Sequence, residues 1–193
     1  MSRISNRERI LTEGLRVVHE RGFAGASVRD IVHAAGVPQG SFTNHFASKE
    51  AFGLEVLDLY YQRALAALDE SLGEAALTPL QRLHAYFSRR VERLNRDGMR
   101  NGCLFGNFTA EASEHSEPIR HRIVEIFTDV QHRLAGCLRA AVAAGEVRGD
   151  LDCDDVAAFI VAGMQGAILM AKAERSAAPI ERFQRILFDS VLR

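Results

Sequence analysis

Apolar residues recur every three to four positions along almost the whole chain, and no alternating run is long enough to form a sheet strand. An all-α fold is therefore expected. A first helix is expected over residues 3–21, with Ile10, Leu15 and Val18 on one face and Gly22 ending it. Ser27 is placed to cap a second helix, with Asp30 in the capping-box position and Gly36 as the stop. Pro38 opens a short third helix at about 38–45, and Ser48 caps a fourth that runs to about Leu72. Thr78-Pro79-Leu80-Gln81 repeats the capping-box pattern before a helix ending near Asn95. Residues 96–102, with two glycines, read as a loop. Further helices are expected at about 104–115, 118–144, 152–175 and 179–192.

The chain has 193 residues, 47% hydrophobic and 25% charged, enough for one fair-sized core or a small module on a larger one. No run of about 18–20 apolar residues stands out, and the N-terminus lacks the apolar stretch of a signal peptide. The expectation is a soluble cytoplasmic protein with no membrane partner. Formal net charge is −1, but seven basic residues against four acidic ones give +3 up to Lys49 and leave −4 for the rest. A basic head on an acidic body suits a modular DNA binder. Cys103, Cys137 and Cys153 have neither disulfide-framework nor zinc spacing. Glu111/His115 and Asp129/His132 have helical chelating spacings without further ligands, so no metal and no cofactor are expected.

Two short helices joined by a glycine-bearing turn make a helix-turn-helix pattern. Val28, Ile31, Val32 and Ala35 brace the second helix from inside. Its N-terminus, at Ser27 and Arg29, can offer backbone N–H groups and positive charge to a phosphate. The third helix offers Gln39, Ser41, Thr43 and Asn44, whose side chains hydrogen-bond base edges or phosphate. Gly40 removes bulk there, Phe42 and Phe46 anchor the helix, and His45 and Lys49 are placed to touch phosphate. Residues 27–52, SVRDIVHAAGVPQGSFTNHFASKEAF, resemble the signature of the TetR family of transcription regulators. The match is continuous through AAGV, GSF, the HF pair and SKEAF. The resemblance implies an all-α homodimer on double-stranded DNA, with two recognition helices in successive major grooves of a near-palindromic operator. It divides the chain into a DNA-binding domain at 1–48 and a ligand-sensing and dimerisation domain at 49–193. Thr43 stands where tyrosine is common in such sequences and Gln39 where a basic residue is frequent, and each change removes a phosphate contact.

The last two helices are rich in small and apolar residues, and the resemblance points to them as the dimer interface, with Val156, Ile160, Gly163, Met164, Ala167, Phe183 and Leu187 as its residues. Glycine costs a helix about 0.5–1 kcal/mol against alanine, so Gly163 and Gly166 suggest close helix–helix approach. Residues 102–123, GCLFGNFTAEASEHSEPIRHRI, resemble a TetR subgroup with a GCLxGN-type motif, which includes repressors of electrophile-detoxifying reductases and of acrylate metabolism. Residues 166–180, GAILMAKAERSAAPI, fit the same subgroup. In it the cysteine of the first motif is associated with sensing electrophiles or oxidants, which implies that role for Cys103. A thiolate is the reactive form of cysteine and a nearby cation favours it. Lys172, one of only two lysines, lies on an apolar helix face and is expected to approach Cys103. Phe105, Phe108 and Phe127 are expected to line an apolar cavity, with His84, Asn107 and Gln165 supplying polar contacts.

The function expected is thus a DNA-binding repressor released by a small molecule or by modification of Cys103. A repressor with an ordinary non-covalent ligand and a structural Cys103 is the alternative. A cysteine-dependent enzyme is a third class, against which no histidine–acid pair or oxyanion loop accompanies the cysteine.

Overall fold

Several helices of this chain begin where a hydroxyl side chain takes a free backbone N–H, at Ser5, Ser27, Ser48 and Thr78. The structure, a computed structural model, describes residues 4–193, and the elements it contains are helical throughout. They are α1 (Asn6–Arg21), α2 (Val28–Ala35), α3 (Gly40–His45), α4 (Lys49–Leu72) and α5 (Pro79–Asn95). Then follow α6 (Leu104–Ala112), α7 (Glu117–Ala143), α8 (Cys153–Glu174) and α9 (Ala178–Ile186). A widened turn, Leu187–Val191, continues α9, and the Leu192 N–H donates back five residues to the Leu187 carbonyl. The expected start of the first helix at residue 3 lies outside the described residues. Ser5 and Glu8 form a capping box ahead of α1, a start the sequence reading did not anticipate.

Ser27 Oγ accepts from the Asp30 N–H at 3.1 Å while the Asp30 carboxylate accepts from the Ser27 N–H at 3.1 Å, the expected box. Gly36 closes α2 in the left-handed conformation, with φ at 61°. Thr78 and Gln81 form the box at α5, and the Ser48 hydroxyl accepts from the Ala51 N–H in the first turn of α4. Replacing Ser27 with alanine removes the α2 cap and is expected to cost about 0.5–2 kcal/mol, read as a lower urea midpoint with an unchanged m-value.

The chain forms two compact units: residues 1–63 with 104–124, and residues 64–103 with 125–193. The unit that holds the head is therefore larger than residues 1–48, because α6 and the start of α7 belong to it. Its core includes Ile10, Val18, Ile31, Phe42, Phe52 and Val56, all buried. A Cβ on Gly14 would collide with the Phe52 ring and come within 3.0 Å of Ile31, so α1 can meet these side chains only through glycine. The second unit buries Leu83 and Phe87 of α5, Leu134 and Leu138 of α7, and Ile160, Met164 and Ile168 of α8.

Against the sequence reading, α8 is long and apolar enough to cross a membrane by length and composition. Its alanines and glycines count as apolar although they contribute little area. One face of it, from Ala157 through Ile160, Val161, Met164 and Ile168 to Ala171, is buried.

Candidate DNA interface and sensor site

A helix of six residues such as α3 cannot hold itself together in water. Phe42 and Phe46 turn inward and meet Phe52 of α4 in a triangle with ring centroids 5.2–5.3 Å apart. Gln39, Gly40, Thr43, Asn44 and His45 are left exposed, so the rim of α3 is polar and accessible. Nothing lies within 4 Å of where a Cβ on Gly40 would stand, which leaves room for a close backbone approach. The Thr43 hydroxyl donates to the Gly40 carbonyl at 3.1 Å.

Three expectations need correction here. Ser41 was expected on the exposed side and is buried. A short side chain in a first turn leans back over the residues before it; here that is the Pro38 turn, to whose carbonyl the Ser41 N–H is bonded at 2.9 Å. Lys49 was expected at phosphate, yet its ammonium donates to the Ala24 carbonyl at 3.4 Å and lies 4.9 Å from the Phe23 ring centroid. Burial pushes its pKa down, opposed by the nearby Glu111 carboxylate. The N-terminus of α2 is also less open to an anion than expected, because the capping box occupies the Ser27 and Asp30 N–H groups. Asp30 is held below the ordinary carboxylate range by its bonds to the Ser27 side chain and backbone, with Arg21 paired to it at 2.9 Å. Arg29 remains exposed beside it.

In the second unit, Cys103 is buried, with 4% of its surface accessible. Two donors converge on its sulfur: the Gln165 side-chain amide at 3.4 Å and an Arg90 Nη2–H at 3.7 Å. Arg90 Nη1 also donates to the Tyr86 hydroxyl at 3.3 Å. The other two cysteines differ in kind. Cys137 Sγ lies 3.3 Å from the Pro79 carbonyl and Cys153 Sγ 3.6 Å from that of Leu151, so both act as S–H donors, and burial pushes both thiols up. Among the described cysteines, Cys103 is the one whose sulfur accepts.

Gln165, expected to supply a polar contact to an apolar cavity, donates instead to the Cys103 sulfur. The Lys172 stem passes 3.2 Å from the position of a Cβ on Gly102, which has φ of 67° and precedes Cys103. A cation at the sulfur is Arg90, which the sequence reading does not name. The available signal was its place on the buried stripe of α5, three residues after Phe87 and seven after Leu83.

The expected cavity lining falls in both units, with Phe105, Asn107 and Phe108 in the first and His84, Phe127 and Gln165 in the second. Phe108 is fully buried and packs on Phe23 at 4.8 Å, and Phe105 meets Tyr60 at 4.9 Å, so both are packing residues of the first unit. Asn107 and Phe127 are half-buried. His84, expected inside a cavity, is exposed, with one ring face stacked on Phe188 at 3.4 Å between centroids. That cover lowers the imidazole pKa, and Asp189 opposes the shift.

The expected dimer residues split as well. Ile160, Met164 and Leu187 are buried in the chain's own core, so they are not available to a mate. Gly163 is explained within the chain, since a Cβ there would stand 2.5 Å from the Phe183 ring. Val156, Ala167 and Phe183 are half-buried. The exposed apolar stripe of α8 is instead Phe159, Ala162, Gly166, Leu169, Met170 and Ala173, with Ile186 exposed on α9. Both faces of α8 are apolar, so periodicity could not tell one from the other.

A polar recognition helix clamped by aromatics behind it, and a capped helix before it, define a helix-turn-helix DNA-binding regulator. Residues 10–56 match the family described as bacterial regulatory proteins, tetR family, and residues 79–187 match the Tetracyclin repressor-like C-terminal domain. The chain belongs to the TetR family of transcription regulators. It is 38% identical over 192 residues to the HTH-type transcriptional repressor DhaR of Mycobacterium sp. (strain GP1), covering 100% of this chain and 95% of DhaR. Among solved structures, the regulatory protein TetR from Rhodobacter sphaeroides has a TM-score of 0.91 at 33% identity, covering 95% of this chain and 97% of that one. The reduced form of Escherichia coli NemR has a TM-score of 0.82 at 30% identity, covering 92% and 93%. Regulators of this family bind DNA and typically act as dimers.

Proposed function

We propose that this protein is a cytoplasmic homodimeric repressor, not an enzyme, that leaves a near-palindromic operator when Cys103 reacts with an electrophile or oxidant. Residues 1–48 bind DNA in this reading, through Gln39, Gly40, Thr43, Asn44 and His45, and residues 49–193 sense and dimerise. The observation that carries the sensor role is the convergence of Gln165 and Arg90 N–H groups on one sulfur. DhaR and NemR are named as repressors, and NemR has been solved in a form called reduced. Two heads about 34–36 Å apart would engage successive major grooves. Inverting operator occupancy from 1:99 to 99:1 takes a preference of about 5.5 kcal/mol for the released state, which a covalent adduct supplies and a weak ligand does not.

The burial of Cys103 favours a second reading, in which a non-covalent ligand is the inducer and Cys103 is structural. An operator gel shift with and without electrophile separates the two. Cys103→Ser is expected to bind operator within about threefold of wild type and to stay bound at electrophile levels that release wild type, since the hydroxyl cannot act as the nucleophile at neutral pH. Release of Cys103→Ser at the wild-type dose overturns the sensor role and leaves the second reading standing.

A further inference from the structure

Helix α3 carries no lysine or arginine, and this limits which bases it can read. Guanine offers two acceptors in the major groove, O6 and N7, and its usual partner is a bidentate arginine or lysine. From Gln39 to His45 the sequence is QGSFTNH, with His45 its one basic residue. Lys49, the nearest lysine, is held away: its ammonium donates to the Ala24 carbonyl at 3.4 Å and lies over the Phe23 ring. At 3.6 residues per turn, Gln39, Thr43, Gly40 and Asn44 share one arc of about 140°, and His45 lies about 100° outside it.

The groups on that arc suit adenine and thymine. The Gln39 side chain does not cap α3, and the Asn44 side chain is exposed, so each amide keeps a donor and an acceptor for a partner. An amide meets adenine with both, accepting from its N6–H and donating to its N7. Thr43 differs. Its hydroxyl donates to the Gly40 carbonyl at 3.1 Å, which commits the proton within the helix and leaves the methyl to meet the C5-methyl of thymine. Nothing stands within 4 Å of where a Gly40 Cβ would be, so the arc can press close to base edges. We propose that α3 reads A·T pairs, with Gln39 and Asn44 each taking an adenine and Thr43 the methyl of a thymine in every half-site. The proposal rests on α3 being the recognition helix. Gln39 and Thr43, where a phosphate contact is lost, become base contacts. His45, off the arc, and Arg29, on the helix that crosses the backbone, are left to phosphate.

The test selects the full-length protein on a library of duplexes randomised over about 20 base pairs, room for two half-sites one helical turn apart. Wild type, Gln39→Ala, Thr43→Ser and Asn44→Ala are selected in parallel, and the position where a variant loses its preference is the one that residue reads. Wild type is expected to enrich A·T pairs at all three positions. A G·C pair at the Gln39 or Asn44 position is expected to weaken wild type by about 5- to 150-fold. Two altered bases then isolate the contacts. 7-Deazaadenine keeps the pairing but replaces the N7 acceptor with C–H. At the Asn44 position it is expected to weaken wild type at least about fivefold and Asn44→Ala less than about twofold. Uracil in place of thymine removes only the methyl. It is expected to weaken wild type about fourfold per half-site, the worth of one buried methyl, and to leave Thr43→Ser unchanged. G·C pairs at the Gln39 and Asn44 positions of the wild-type selection overturn the proposal. So does an equal response of wild type and variant to the altered bases, which places the preference in the shape of the duplex. Either result leaves α3 as the recognition helix. If no duplex is enriched, or if all three variants select the wild-type sequence unchanged, α3 is not the reader and the proposal fails with that reading.

Discussion

Phe42→Ala is expected to abolish operator binding while leaving the second unit folded. Phe42 is 3% exposed and touches Phe46 and Phe52 at 5.3 Å between centroids. Truncating a buried phenylalanine costs about 3–5 kcal/mol, from lost transfer energy and the cavity left behind. That loss falls on a six-residue helix whose intrinsic tendency to form is negligible. No side-chain cap at Gln39 helps to hold α3. Without the ring, Gln39, Thr43 and Asn44 lose their common geometry, and base contacts worth about 1–3 kcal/mol each are lost together. Circular dichroism should show most helix retained, while thermal melting of the head shifts down and specific operator binding falls to the nonspecific level. Phe42→Leu, which keeps most of the buried volume, should recover much of both. Operator affinity within threefold of wild type for Phe42→Ala would show that the aromatic triangle does not hold the recognition helix.

What was legible in the sequence divides along the same physical line. Capping boxes at Ser27 and Thr78, the left-handed stop at Gly36 and the Ser48 cap are local events, decided by residues three or four apart. The head follows from them, because two short helices and a glycine turn leave few ways to bury Phe42 and Phe46. Contacts between distant segments were not legible in that way. Lys49 reads as a phosphate ligand until the Ala24 carbonyl is found beside it, and Glu111 reads as half of a chelating pair until it is found on the Ala24 N–H. Arg90 and Lys172 show the limit more finely. Both are cations on apolar helix faces, and only the packing of α5 against the loop before α6 decides that the guanidinium meets the sulfur. The choice between the faces of α8 is illegible for another reason. Its buried and its exposed stripe are both apolar, so periodicity does not choose between core and surface.

Leu169→Arg is expected to split the dimer and cost at least about 100-fold in operator affinity. Leu169 is 68% exposed in the single chain, and Phe159, Met170 and Ile186 are each about half exposed on α8 and α9. Exposed leucine alone is unremarkable, but a stripe spaced three and four residues apart over four turns is a surface awaiting a partner. Gly166 supports the assignment, since nothing in the chain lies within 4 Å of its missing Cβ and a second helix can come close there. A guanidinium at the centre of such a face would be buried without a counter-ion, a cost of several kcal/mol that falls twice in a two-fold interface. A monomer carries one head and reads one half-site, so it retains little beyond the salt-dependent phosphate attraction of nonspecific binding. Sedimentation should give a 21 kDa species for Leu169→Arg and twice that mass for wild type. Val124→Arg alters another exposed apolar residue, on α7, and should stay dimeric. A Leu169→Arg protein that sediments as a dimer at micromolar concentration would move the interface off this stripe, whatever its operator affinity.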